Sequence, residues 1–397
     1  MDVDQAAPAA NRRTAGTILL IAGLLLASVN MRPAIAGVSP LLGEIMADLG
    51  LTPAAGGAIT TVMVVCLGVV APLAPLLAGR IGLDRTLLAG LLVLTFGVLL
   101  RSMDGTVALY AGAALAGTAI AIMNVVMPGV VKLHFPDRVG LFTSLYTSGL
   151  VLGATAASGL MVPLEHATGA GWRVAVGSVA VPAIVATLVW LPQAVRRPHL
   201  SARQGHGGYR ALLSRPKTWY VTVFMGLQSL TFYVMLAWLP TIFTDAGLPA
   251  DQAGYLLSLT NLGQVIATLT VPAHAGRARG QVPHLVAACA LTMAGYLGVL
   301  IAPTTVPWLW MVVLGLGQGA SLALALLIIA LRAPDAGSVT ALSAVAQTFG
   351  YVLAALGPLL IGLLYQVSGG WTLPLTVGTA VVVVQLVAGV LAGRPSP

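Results

Sequence analysis

Arg32 is the residue whose type and position most demand a chemical explanation. It sits in an apolar stretch that runs from Thr14 to about Ser39 without a single acid. A guanidinium near the centre of a bilayer costs about 2.5–3.5 kcal/mol on insertion scales. It cannot reduce that cost by shedding its proton. It therefore needs water, polar partners or an anion, and its planar fork of donors suits an anionic or strongly polar ligand. The alternative is snorkelling to the outer headgroups: the helix from Thr14 to Arg32 is about 27 Å long, enough to reach them. Apolar sequence continues past Arg32 to Val38, however, and Asn30 lies beside it. Both favour a cavity.

Further polar residues recur at helical spacing inside apolar runs. Thr340, Ser343, Gln347 and Tyr351 form one stripe, and Asn261, Gln264 and Thr268 another. Gln228, Tyr233 and Trp238 punctuate a third run, Asn124 a fourth, and Gln318 and Ser321 a fifth. Polar side chains in membranes also bond neighbouring helices, so each taken singly is as readily a packing residue. As a set they suggest a cavity read by amides, hydroxyls and aromatics around one cation. The candidate solute-binding residues are Arg32, Asn30, Asn124, Gln228, Tyr233, Trp238, Asn261, Gln264, Gln318, Ser321, Gln347 and Tyr351.

The elements that must position them follow from composition. The chain has 397 residues, 58% hydrophobic and 8% charged, where a soluble chain would carry about 25% charge. Too few charges exist to coat a water-facing surface, so the bilayer is the expected solvent and a partner of the chain. Backbone in lipid must satisfy itself in helices or a closed barrel. The apolar runs are long and do not alternate, which selects helices. Approximate spans are 14–39, 53–78, 84–103, 106–131, 139–164, 171–192, 217–243, 249–274, 283–302, 306–331, 338–365 and 371–393. The first has the charged flank of a signal peptide, Arg12 and Arg13, but runs on past the length of one and is expected to be retained. Cys66 and Cys289 lie inside apolar runs and read as small core residues.

Charge orients the spans. Of the 19 basic residues, loops at one face hold Arg12, Arg13, Arg80, Arg85, Lys132, Arg138, Arg196, Arg197, Arg203, Arg210, Arg215, Lys217, Arg277, Arg279, Arg332 and Arg394. Arg101 and Arg173 fall on the other face, and Arg32 remains. Loops rich in Lys and Arg stay cytoplasmic, so both termini are expected inside. The acids are all placed outside the hydrocarbon, which leaves Arg32 as the only charge expected within a span. The net charge of +8 is thus explained by topology, and no nucleic-acid partner is implied. The longest connection, Gln193–Arg215, reads as a cytoplasmic linker. The division is an N-terminal six-helix bundle at 1–192, a linker at 193–216 and a C-terminal bundle at 217–397.

The halves repeat. A shift of 197 carries Gly50, Leu51, Gly57, Pro75, Ala78, Gly79 and Arg80 onto Gly247, Leu248, Gly254, Pro272, Ala275, Gly276 and Arg277. A shift of 198 carries Pro136-Asp137 onto Pro334-Asp335, and one of 199 carries Gly171-Trp172 onto Gly370-Trp371. The same register sets Arg32 against Ser229, next to Gln228. Two parallel six-helix repeats joined by a linker resemble the major facilitator superfamily. Such halves rock about a solute site near the midplane. Gly149, Gly153 and Gly159, with Gly350 and Gly357, are expected to allow close helix approach.

Within that superfamily the sequence resembles the cyanate/2-nitroimidazole permease (CynX/NimT-like) family. The resembling segments are Asn30-Met31-Arg32-Pro33, NVVMPGVVKLHFPDRVGLFTSLYT from Asn124, GLQSLTFYVMLAWLP from Gly226, GLGQG from Gly315 and LSAVAQTFGYVLAALGP from Leu342. They reach nearly end to end. The superfamily's Gly-rich gating loop is similar to GRIGLDR from Gly79, with Arg80, Gly82 and Arg85 in place. Gly79 stands where an acid is usual, and Asp84 is the candidate substitute. The resemblance implies a multi-pass secondary transporter of the bacterial inner membrane, acting on a small planar solute, anionic like cyanate or neutral like a nitroimidazole. A monomer without cofactor is expected. A multidrug exporter is the first alternative, although a cavity whose only charge is positive disfavours lipophilic cations. A membrane-embedded enzyme is a distant one, since the sequence has no HExxH, no GxSxG and no pair of intramembrane acids.

Overall fold

The computed structural model describes residues 6–51, 53–196 and 212–394, and these are helical almost throughout. Among the described residues, eleven helices are long and apolar enough to cross a membrane, and a bent pair supplies the twelfth span. Spans three to five are Leu83–Arg101, Thr106–His134 and Val139–Thr168, and spans seven to twelve are Pro216–Asp245, Ala250–Ala275, Val282–Ile301, Pro307–Arg332, Ala336–Ser368 and Thr372–Gly393. Several exceed the roughly 20 residues that cross hydrocarbon, so their ends stand clear of it. The outer surface is apolar: Phe96 is 60% exposed and Leu188 63%. Water would not tolerate a surface built this way, whereas lipid matches it.

Prolines break the remaining spans. The first is Ala6–Asn30 continued by Pro33–Ala36. Pro33 has no N–H to give the carbonyl of Val29, four residues back, and the helix reopens there. The second bends by 61° between Ala58–Val69 and Leu73–Ile81, with Pro72 at the joint. The sixth is Gly171–Gly177 continued by Ala180–Arg196. This last helix runs beyond the expected bundle end at 192. Of the expected linker at 193–216, residues 197–211 lie outside the described residues. A short helix, Leu42–Leu49, leads from the first span to the second.

The duplication is visible as paired contacts. Trp172 Nε1 donates to Asp48 at 3.2 Å, and Trp371 Nε1 donates to Asp245 at 2.8 Å. His134 meets Asp84 at 2.6 Å, and Arg332 Nη2 donates to Gln281 at 2.9 Å. Each second pair is the first one displaced by 197 to 199 residues, the drift read from the sequence. Gly50 and Gly247, also mates, both take positive φ, 61° and 96°. Thus the two six-helix bundles repeat in contact as well as in sequence.

Arg80, Arg85, Arg138, Arg277 and Arg332, at helix ends or in the turns beside them, gather at one end of the bundles, called here the basic end. On that side of the centre the halves close on each other. Ser144 Oγ donates to the carbonyl of Thr268 at 2.8 Å, and Ser148 Oγ to Thr268 Oγ1 at 3.1 Å. Gln347 Nε2 donates to the carbonyl of Asn124 at 3.2 Å. Nearest the end, Gly140 and Gly276 touch backbone to backbone: a Cβ built on Gly276 would lie 2.6 Å from the Cα of Gly140. Towards the opposite end, a Cβ on Gly159 would meet nothing within 4 Å. Gly159 therefore makes no close helix approach, contrary to expectation, whereas Gly149 and Gly153 press on Ser28 and Val29.

Candidate functional site

The break at Pro33 determines where Arg32 points. Arg32 caps the short helix Pro33–Ala36 with φ −119° and ψ −24°, so its side chain leaves the helix axis at a kink. Span five holds the kink closely. A Cβ on Gly153 would overlap the carbonyl oxygen of Val29, the oxygen that Pro33 leaves without an intrahelical donor. From there Arg32 reaches a cavity between the halves. The cavity is lined by Arg32, Gln228, Ser229, Phe232, Tyr233, Gln264, Gln318, Leu322 and Tyr351, and at about 10 Å³ it is drawn in to the size of roughly one water molecule.

Arg32 is the only lining residue from the N-terminal half. The C-terminal half supplies a polar cup. Gln228 Nε2 donates to Ser229 Oγ at 2.7 Å, and Gln318 Nε2 donates to the carbonyl of Thr231 at 3.3 Å. Gln264 sits behind Gly319, where a Cβ would come 2.6 Å from its Cα; only glycine lets the eighth and tenth spans approach so closely. Phe232 and Tyr233 stand edge to face, ring centres 5.2 Å apart. No acid lines the cavity. Chemically this is one fixed cation facing amides, hydroxyls and aromatic rings. It can fork onto an anionic or polar planar group and flatten rings against its faces.

The cup is braced from behind. Thr231 Oγ1 donates to Gln385 Oε1 at 3.2 Å, and Gln385 Nε2 donates to Ser321 Oγ at 3.3 Å. Tyr296 Oη donates to the carbonyl of Thr231 at 2.7 Å. Every member is buried, so the bonds are worth keeping and costly to break.

Of the residues singled out in the sequence, Arg32, Gln228, Tyr233, Gln264, Gln318 and Tyr351 meet in this cavity. The other six are elsewhere. Asn30 is buried, and its Nδ2 donates to the carbonyls of Leu26 and Pro182 at 2.8 and 3.0 Å; it ties the first span to the sixth. Asn124 meets Gln347 through its backbone, so these two belong to the closure on the basic side. Trp238 Nε1 donates to the carbonyl of Pro358 at 2.9 Å, joining spans seven and eleven. Ser321 accepts from Gln385 in the bracing network. Asn261 is half-buried on span eight and does not line the cavity. Ser229, Phe232 and Leu322 line it without having been singled out as site residues. Ser229 and Phe232 follow Gln228 by one and four residues, and Ser229 is the repeat mate of Arg32.

The Gly-rich loop lies at the basic end. Gly82 turns the chain with φ 86° and ψ 160°. Arg80 is exposed, and Arg85 Nε donates to the carbonyl of Ala194 at 3.1 Å. Asp84, the candidate substitute for the missing acid, pairs with His134 within its own half. At the opposite end Arg173 bridges Asp48 at 2.7 Å and Asp104 at 2.9 Å. The hydrogen bonds from Arg173, then Trp172, hold the Asp48 carboxyl below its usual range. Arg101 departs from its expected place on that outer face: it is fully buried at the end of span three. Arg32 is therefore not the only cation drawn into the helical bundle.

Comparison with known proteins agrees with this architecture. The family model of the Major Facilitator Superfamily matches residues 18–358. The 2-nitroimidazole transporter of Escherichia coli is 35% identical, covering 95% of this chain and 96% of its own. The cyanate transport protein CynX of Escherichia coli is 29% identical, covering 88% and 90%. Among solved structures, the transporter FucP in its outward conformation superposes with a TM-score of 0.74 at 15% identity, covering 95% of this chain and all of that one.

Proposed function

The chain belongs to the Major Facilitator Superfamily, and from that premise we propose that it carries a small planar solute, either a cyanate-like anion or a nitroimidazole-like heterocycle, gripped between Arg32 and the cup of the C-terminal half. As a member of that superfamily it is a secondary transporter. The observation that carries the solute reading is the cavity's single charge: one arginine from one half faces eight uncharged residues from the other. An anion there bonds Arg32 on one side and the amides of Gln228, Gln264 and Gln318 on the other. It joins the two halves and so favours the state in which they close around it. Phe232, Tyr233 and Tyr351 offer faces to a flat ring, which suits the neutral heterocycle named for one relative. A lipophilic cation would meet the charge of Arg32 unscreened, against the multidrug reading.

The basic end is taken as cytoplasmic, because short loops rich in Lys and Arg stay inside. The membrane is then the bacterial inner membrane, the termini are cytoplasmic, and the conformation is closed inwards with the path from outside to Arg32 the one that opens. A single chain holds the whole cavity, in keeping with a monomer. No carboxylate lines the cavity, so coupling does not run through an acid there. A monovalent anion moving inwards climbs about 2.3 kcal/mol per 100 mV of inside-negative potential. Uptake therefore requires exchange, symport or a steep gradient, and efflux does not.

The test is flux of cyanate and of 2-nitroimidazole into proteoliposomes. Removing a hydrogen bond to a charged group costs about 1.5–3 kcal/mol, so Arg32→Ala should weaken apparent affinity roughly 10- to 150-fold. Arg32→Lys keeps the charge but not the fork and should fall between. Wild-type flux in both variants would take Arg32 out of the mechanism.

A further inference from the structure

Arg101 is the buried group that the site as described leaves unused. It ends the helix Leu83–Arg101, and its Nη1 donates to the carbonyl oxygen of Ala34 at 2.5 Å. Its Nε and Nη2 have no hydrogen-bond partner among the described residues. A cation buried with one bond and no acid is expensive, and an apolar side chain would fill the space at less cost. What the guanidinium supplies that leucine cannot is a charged donor to one particular carbonyl. That carbonyl belongs to the last turn of Pro33–Ala36, where intrahelical donors run out, two residues beyond Arg32. Gly112 makes the arrangement possible, since a Cβ there would strike the backbone N of Arg101.

The second half has the same device with different chemistry. Tyr296, on the ninth span, donates to the carbonyl of Thr231 on the seventh at 2.7 Å. Thr231 is the mate of Ala34 at a shift of 197, and span nine is the mate of span three. In each half the third helix reaches across to the same carbonyl of the first helix. Each of these carbonyls lies within three residues of a cavity side chain, Arg32 in one half and Gln228 in the other.

We infer that Arg101 is a positioning residue: by holding the carbonyl of Ala34 it sets the kink from which Arg32 enters the cavity. The inference deepens the proposed role of Arg32 and rests on it for its link to transport. Its structural content is independent, because it concerns where position 32 points.

The experiment reads that direction without a solute. In full-length protein carrying Cys66→Ala and Cys289→Ala, Arg32→Cys or Gln228→Cys introduces one thiol, and its modification rate by a small charged methanethiosulfonate is measured in vesicles. Arg101→Met should lower the rate at position 32 about tenfold, the weight of one hydrogen bond to a charged group, and leave the rate at position 228 unchanged. Arg101→Lys, which keeps a charged donor, should restore it. An unchanged rate at position 32 overturns the proposal, and so does an equal fall at both positions, which would mean general loosening. If Arg101→Met does not fold, Arg101→Gln is read by the same criteria. Cyanate flux in wild type and in Arg32→Ala separates the two readings. If Arg32→Ala transports like wild type while Arg101 still governs labelling at position 32, the solute site fails and the positioning role stands.

Discussion

Adding one methyl group where Gly140 meets Gly276 should tip the transporter away from the closed state of its basic end. A Cβ on Gly140 would lie 2.5 Å from the carbonyl oxygen of Pro272 and 2.9 Å from the Cα of Gly276. All these atoms are backbone, so no side chain can swing aside to relieve the overlap. Overpacking of this kind costs about 1–3 kcal/mol. The penalty applies only while the halves touch; in the alternate state the two glycines part and the methyl group is harmless. The closed-to-open ratio should therefore fall by roughly 5- to 150-fold. Spin labels at positions 138 and 279, both exposed and on opposite halves at this end, would report it by pulsed electron–electron resonance in the background without native cysteines. Gly140→Ala and Gly276→Ala should each move population from the short distance to a longer one. Gly159→Ala, where a Cβ meets nothing within 4 Å, should not. Unchanged distances in both gate variants would refute the claim that this contact closes the basic end.

Two further outcomes are expected. Gln347→Ala removes the bond to the carbonyl of Asn124 and should shift the same spin-label distances in the same direction but less, by about 0.5–1.5 kcal/mol; affinity for solute should change less than in Arg32→Ala. For Asp48, the folded carboxyl is held below its ordinary pKa by Arg173 and Trp172. Its contribution to stability is therefore complete above the unfolded pKa, near 4, and lost as pH falls through the lower folded value. Trp172 fluorescence should stay flat from pH 8 to 5 and change only in stronger acid, and Asp48→Asn should abolish that change.

Much of the architecture is legible in the sequence. Apolar runs near 20 residues announce spans because lipid offers no hydrogen bonds to a broken backbone. The repeat was legible too, and its drifting offset reappears in the Asp48–Trp172 and Asp245–Trp371 contacts. Arg32 stood out because charge inside an apolar run has few explanations. The cavity itself was read in part. The eleventh-span stripe illustrates why: Gln347 and Tyr351 share a helix face, yet Gln347 lies at the closure and Tyr351 at the cavity. Spacing reports the face of a helix but not the depth at which the opposite half touches it.

The chain's sequence by itself determined that it is a two-fold repeat of helices dissolved in lipid, since that follows from local hydropathy and periodicity. It also marked Arg32 as a cation that such a design must account for. Only the tertiary structure decided which amides face that cation and which join helices, because this depends on packing between segments some 200 residues apart. It also decided that Arg101, which ends an apolar run beside Ser102 and Asp104 and reads as a loop residue, is buried against the kink of the first span. No local pattern could announce that, for the carbonyl it holds belongs to Ala34, 67 residues earlier in the chain in a short helix, and only the fold brings the two together.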